Sequence, residues 1–234
     1  MKKLLTEAFS VNLILVLMLL SLAGFVRNRR TADTFAAGSG AVYQVETEKK
    51  TVSLMINVYE HPEIVEEYLK IFREKNVRVT FFIGGLFAEK NGETVKRIAE
   101  AGQELANHGY HHKLHTKISR EESIKEIRDT NALLKQLTGR KVTLFAPPSG
   151  DVNEAVVKDA ASCGCRTIMW TADTIDWRDQ DTAKIMGRIE RNLKPGALIL
   201  MHPTEATLAC LPDILTLLED NGYEILPVGE HLQA

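Results

Sequence analysis

The sequence predicts an α/β fold built on a parallel β-sheet, and two observations carry that expectation. From Thr51 onward, seven short runs rich in Val, Ile, Phe and Thr recur along the chain. Between them lie segments whose apolar residues repeat with helical period. Such alternation sets successive strands parallel and joins them by right-handed crossovers, in an open doubly wound sheet or in a closed barrel. Both arrangements gather function at the carboxyl ends of the strands.

The expected strands are 51–58, 78–83, 103–107, 142–146, 166–170, 197–201 and 223–227. The first expected helix, 62–74, sets Ile64, Tyr68, Ile71 and Phe72 on one stripe, with Pro62 suited to its first turn. The helix over 120–138 starts after Ser119, with Glu122 three residues on, the pattern of a capping box. Ile124, Ile127, Leu134 and Leu137 form its apolar face. Helices over 153–161, 181–192 and 207–221 complete the set.

Three regions divide the chain: an anchor over 1–30, a polar linker over 31–50 and a domain over 51–234. Lys2 and Lys3 precede an uncharged stretch from Ala8 to Val26 that Arg27, Arg29 and Arg30 end. As a helix that stretch would span about 28 Å, close to the hydrocarbon core of a bilayer. The basic cluster stands where a cleavable signal peptide would show its small-x-small site, which favours an uncleaved single-pass anchor over a signal peptide. Lysines at one end and arginines at the other leave the orientation weakly set by charge, with a slight bias toward the body inside. A net charge of −2 supplies no global field for nucleic acid. Cys163, Cys165 and Cys210 form neither a disulfide framework nor a zinc pattern, and read as small buried apolar residues.

The residues after each expected strand carry the chemistry. Asn107-His108-Gly109-Tyr110-His111-His112 is followed by His115, four histidines in eight residues. The i, i+4 spacing of His108 and His112 would place both imidazoles on one face of a helical turn, ready for a divalent metal, although polar loop histidines remain the plain alternative. Further on stand Ala146-Pro147-Pro148-Ser149-Gly150, then Trp170 with Asp173, Asp176 and Trp177, then Leu200-Met201-His202. Asp173 and Asp176 taken alone would also fit a capped loop.

With these segments in order, the chain resembles the polysaccharide deacetylases, the NodB-like carbohydrate esterases of family 4, over roughly residues 50–230. The shared features are Thr80-Phe81-Phe82, the Asn-His-x₃-His box, the Pro-x-Gly loop, the Asp-x-x-Asp-Trp segment, Leu-x-His and Gly222-Tyr223. Within that family it is most similar to the endospore-associated subgroup. The resemblance implies a distorted (β/α)7 barrel that hydrolyses the C–N bond of N-acetylated sugars in cell-wall glycan: peptidoglycan or an N-acetylglucosamine polymer. It implies a divalent metal, usually zinc, at His108 and His112, a general acid at His202 tuned by Asp176, and Trp177 as the wall beside it. Tyr110, Ser149 and Asp173 are the further substrate-binding candidates. It also places the domain on the extracytoplasmic side of the cell membrane.

The same resemblance exposes a break. The family's paired aspartates fall on Asn57, where the base belongs, and on Val58, where the third metal ligand belongs. The arginine that tethers the base falls on Ala146. Asparagine accepts no proton at neutral pH, and valine coordinates nothing. A missing base with its arginine retained would leave an unpaired buried charge, so the three changes are coherent. Three readings follow: a deacetylase whose metal borrows His115, His111 or Glu60; a catalytically inactive binder that stacks sugars on Tyr59, Tyr110 and the tryptophans; and a membrane module for protein contacts in envelope assembly.

Overall fold

The computed structural model describes residues 40–234, and the anchor expected over 1–30 lies outside them. Among the described residues, no helix is long and apolar enough to cross a membrane.

The central strand is β1 (Thr51–Val58), buried along its whole length. Such a run is apolar on both faces because helices cover one side of a parallel sheet and the sheet's own curl covers the other. Alternation divides it: Leu54, Ile56 and Val58 join the core beneath the helices, while Met55 joins the inner core with Phe82, Ala106, Leu198 and Leu200. Around it stand β2 (Thr80–Ile83), β3 (Glu104–Asn107), β4 (Leu144–Phe145), β5 (Arg166–Thr167), β6 (Ala172–Asp173), β7 (Leu198–Met201) and β8 (Glu224–Ile225). The order is β5-β4-β3-β2-β1-β7-β6, all parallel, and β8 pairs with the start of β1.

The helices are α1 (Pro62–Glu74), α2 (Gly85–Lys90), α3 (Gly92–Glu100), α4 (Arg120–Thr138), α5 (Glu154–Ser162), α6 (Asp176–Asp179), α7 (Thr182–Asn192), α8 (Glu205–Asp220) and α9 (Val228–His231). Ser119 caps α4 by accepting from the Glu122 backbone at 3.2 Å, but Glu122 turns its carboxylate to Lys113 instead of closing the box. Helices α2 and α3 go beyond the expected set, because Gly84-Gly85 and Asn91-Gly92 punctuate that stretch.

Of the two arrangements left open, the sheet is the open one, curled into a half-barrel that fits the distorted barrel implied by the resemblance. The expected strand 166–170 is instead β5, and four residues later the chain starts β6 on the opposite edge. Neighbouring parallel strands need a crossover of about a dozen residues, so these two cannot form a ladder. The seam is spanned by residues expected to be linker. Val42 donates to the Thr167 carbonyl at 2.9 Å and accepts from Met169 at 2.7 Å, and Val45 donates to the Gly196 carbonyl at 2.9 Å. Gly196 is needed there, since its φ is +78° and a Cβ would strike the Val45 carbonyl.

Candidate active site

A cavity of about 470 Å³ opens at the carboxyl ends of the strands, lined by Asn57, His108, His112, Ser149, Trp170, Asp173, Trp177, Leu200 and His202. A second pocket of about 210 Å³ adjoins it and shares Asn57, Trp177 and His202. Trp177 stands between them, 58% exposed. Backbone strain gathers here, with φ values of 56° at His112, 57° at Ser149 and 51° at Ile175. A β-branched residue in that region is costly and marks a position fixed by its surroundings.

The best-defined pair is His202 with Asp176. The His202 Nδ1 lies 2.8 Å from Asp176 Oδ1. The same carboxylate accepts from the His202 backbone at 2.7 Å, from Thr207 Oγ1 at 2.6 Å and from the Trp177 backbone at 2.9 Å. Burial pushes the Asp176 carboxyl up, but the hydrogen bonds and charge of His202 and the Thr207 hydroxyl outweigh it and hold it below the ordinary range. Asp176 stays ionised, fixes the imidazole's orientation and leaves Nε2 free, the arrangement of a general acid or base. Tyr68 locks the segment from below by donating to the His202 carbonyl at 2.8 Å.

His108 and His112 meet through a loop and not, as their spacing implies, through a helical turn. Gly109 and His112 both take left-handed backbone, with φ of 72° and 56°. The rings nevertheless converge, with centroids 5.3 Å apart. His108 Nδ1 lies 2.8 Å from the Ala146 carbonyl. Burial, helped by the neighbouring His112, pushes the His108 imidazole down to about 3, so it is neutral. The loop hangs on Glu126, which the sequence reading passed over. Its carboxylate accepts from the backbone of Tyr110 at 2.8 Å and of His111 at 2.6 Å, and bonds His111 Nδ1 at 2.7 Å. Glu126 is 4% exposed on α4 beside Ile127, on the face that packs against the sheet, and no apolar pattern marks it.

Asn57 lines the cavity from the end of β1 at 4% exposure, and its Oδ1 has no hydrogen-bond partner among the described residues. An orphaned buried acceptor costs about 1–3 kcal/mol. Val58, next along the strand, packs into the core beneath the helices. Tyr110 leaves the expected substrate-binding set, because its ring lies over Gly85 and its hydroxyl reaches Glu89 at 3.3 Å. Ala146 is buried in the inner core and offers the cavity only its backbone.

The polysaccharide deacetylase profile matches residues 44–168, more than half of the chain. The chain belongs to the polysaccharide deacetylase family. It is 35% identical over 189 residues to the uncharacterized protein YlxY of Bacillus subtilis, an alignment covering 81% of this chain and 59% of YlxY. It is 27% identical over 197 residues to a peptidoglycan-N-acetylglucosamine deacetylase of Bacillus cereus, covering 82% of this chain and 92% of that one. The solved structure of BA3943, a family 4 carbohydrate esterase pseudoenzyme from Bacillus anthracis, superposes with a TM-score of 0.81 at 36% identity, covering 83% of this chain and 69% of that one.

Deacetylases of this family are generally metal-dependent. The donor set here does not make up such a site. Two imidazoles on one tetrahedral zinc would sit with centroids roughly 5 Å apart, as His108 and His112 do, but a closed site needs a further protein ligand. Among the described residues, no three His, Cys, Asp or Glu side chains converge to hold a metal. The expected substitutes are committed elsewhere: His111 to Glu126, and His115 to Ser123 Oγ at 2.9 Å, with its other nitrogen buried. Glu60 is exposed beside His61.

Proposed function

We propose that this deacetylase-family domain binds N-acetylated cell-wall glycan without hydrolysing it. One observation carries the reading: the acid half, His202 with Asp176, is fully built, while the end of β1 supplies Asn57 and Val58. By resemblance these are the positions of the base and the third metal ligand. Losing a general base typically removes about 10²–10⁴ in rate, before the weaker metal site is counted. The likeness to a family pseudoenzyme, of which a mutant has restored enzymatic activity, supports this reading.

The glycan class follows from relatives that act on peptidoglycan. In this reading the basic-flanked apolar run over 1–30 tethers the domain to the outer face of the cell membrane, within reach of the wall, and the endospore envelope is one setting for that role. The deciding measurement is acetate release by the full chain from N-acetylglucosamine oligomers and from peptidoglycan, with and without zinc, alongside binding of the same ligands. Binding without release is expected, unchanged by chelator. Zinc-dependent release abolished by His202→Ala would show a working deacetylase instead.

A further inference from the structure

We infer that Arg188, which lines neither pocket, is a positioning residue for the wall between them: its guanidinium joins the two ends of the segment that carries Asp176 and Trp177. That segment, 173–180, supplies Asp173 and Trp177 to the larger pocket and Trp177 and Gln180 to the smaller one. Its one-turn helix α6 is bracketed by Ile175 at φ 51° and Gln180 at φ 47°. Residues other than glycine rarely take this left-handed backbone, and they persist there where their surroundings over-determine them. A single helical turn supplies little of that hold, because it is not stable by itself. At the front the hold comes from Asp176, pinned by His202 and Thr207. Behind the segment it comes from α7.

Helix α7 buries Ile185 and Ile189 in the core, and Arg188 rides on that fixed frame. Its side chain is 16% exposed. One end of the guanidinium, Nη1, donates to the Thr174 carbonyl at 2.6 Å, just before the left-handed Ile175. The other end, Nη2, donates to the Asp179 carboxylate, just before the left-handed Gln180. One planar group therefore ties the entry and the exit of the segment to a helix of the core. The hydrogen bonds of Arg178 and Arg188 hold the Asp179 carboxyl well below the ordinary range, so the anionic end of this tie persists. Arg178 is no substitute, since it belongs to the segment itself and stands exposed on the same carboxylate. A lysine would be none either, because a single ammonium lacks the fork that reaches a carbonyl and a carboxylate in fixed geometry. Trp177 is 58% exposed, so its ring takes its place from the backbone beneath it more than from packing.

The test is fluorine NMR of the full chain in detergent, with its two tryptophans, Trp170 and Trp177, replaced by fluorotryptophan. Trp177→Phe assigns the two resonances. In Arg188→Ala and in Arg188→Lys the Trp177 resonance should shift and broaden. That of Trp170, packed against the inner core, should keep its place. On the glycan-binding reading, the same variants should bind the N-acetylglucosamine tetramer about threefold to tenfold more weakly, because a loosened side chain must be ordered on binding. Asp179→Asn removes the anionic end of the tie and should move the Trp177 resonance in the same way. It carries the test if the Arg188 variants fail to fold. An unmoved Trp177 resonance, a wild-type spectrum for Arg188→Lys, or an equal change at Trp170 overturns the inference and leaves glycan binding standing. A displaced Trp177 resonance in a protein whose wild type binds no tetramer supports the inference and overturns the glycan-binding reading.

Discussion

Asp176 shows how one buried carboxylate organises a site. Four donors from three residues converge on its two oxygens, and the residue is wholly buried. Asp176→Ala would strand these donors, at about 1–3 kcal/mol for each one left unsatisfied, some of it recovered by water reaching the cavity. Urea unfolding should show a loss of at least about 3 kcal/mol, with Asp176→Asn roughly half as damaging because the amide still accepts on one oxygen. A loss under 1 kcal/mol for the alanine variant would mean that the donors find other partners. Asp176 and His202 were legible in the sequence because each stands in a short motif directly after a strand. The two-sided fate of Asn57 and Val58 also follows from the period of a strand, which sends neighbours to opposite faces. The geometry of His108 and His112 was not legible, because i, i+4 spacing looks the same in a helix and in a loop that turns through left-handed residues.

At the scale of elements, α4 matters more to the histidine loop than its apolar stripe implied. The stripe predicts the burial of Ile124, Ile127, Leu134 and Leu137; Ile127 and Leu134 are buried, and Ile124 and Leu137 are half-buried. The same face carries Glu126 at its amino-terminal half, and that carboxylate is the loop's anchor. Apolar periodicity gives a buried acid no weight, so such a residue is legible only once its partners are known. Burial pushes the Glu126 carboxyl up, and the hydrogen bonds from His111 and Tyr110 with the His111 charge bring it down below its ordinary value. Glu126→Gln keeps the size and removes the charge. It should cost about 1–3 kcal/mol in thermal or urea unfolding and broaden the imidazole resonances of His108 and His112 as the loop loosens. Sharp, unshifted resonances in that variant would show that Tyr59, which donates to the Tyr110 carbonyl at 2.6 Å, holds the loop by itself.

For the whole molecule, burial of imidazoles sets how stability responds to acid. His108 lies at the cavity floor, and His115 lies under the loop against Phe145. His231 in α9 is clamped between Thr51 Oγ1 at 2.9 Å and Ser53 Oγ at 2.8 Å. All three are buried, and burial pushes each imidazole below its ordinary value. A histidine depressed in the native state binds its proton in the unfolded chain first. Its contribution is therefore complete above the unfolded value of about 6.5 and is lost as the pH falls from there toward the folded value. Each such group adds up to about 1.4 kcal/mol per pH unit. Glu104, whose carboxyl burial pushes up, acts with the opposite sign, but it is one proton against these three and His112, which burial also pushes down. Urea unfolding should therefore give a plateau above pH 7 and a fall between pH 6.5 and 5 steeper than one proton allows. His231→Gln, far from the cavity at the amino end of β1, should flatten that fall by about one proton's worth and leave glycan binding intact. Stability that holds or rises down to pH 5 would mean that these imidazoles find acceptors in the native state and take up protons there.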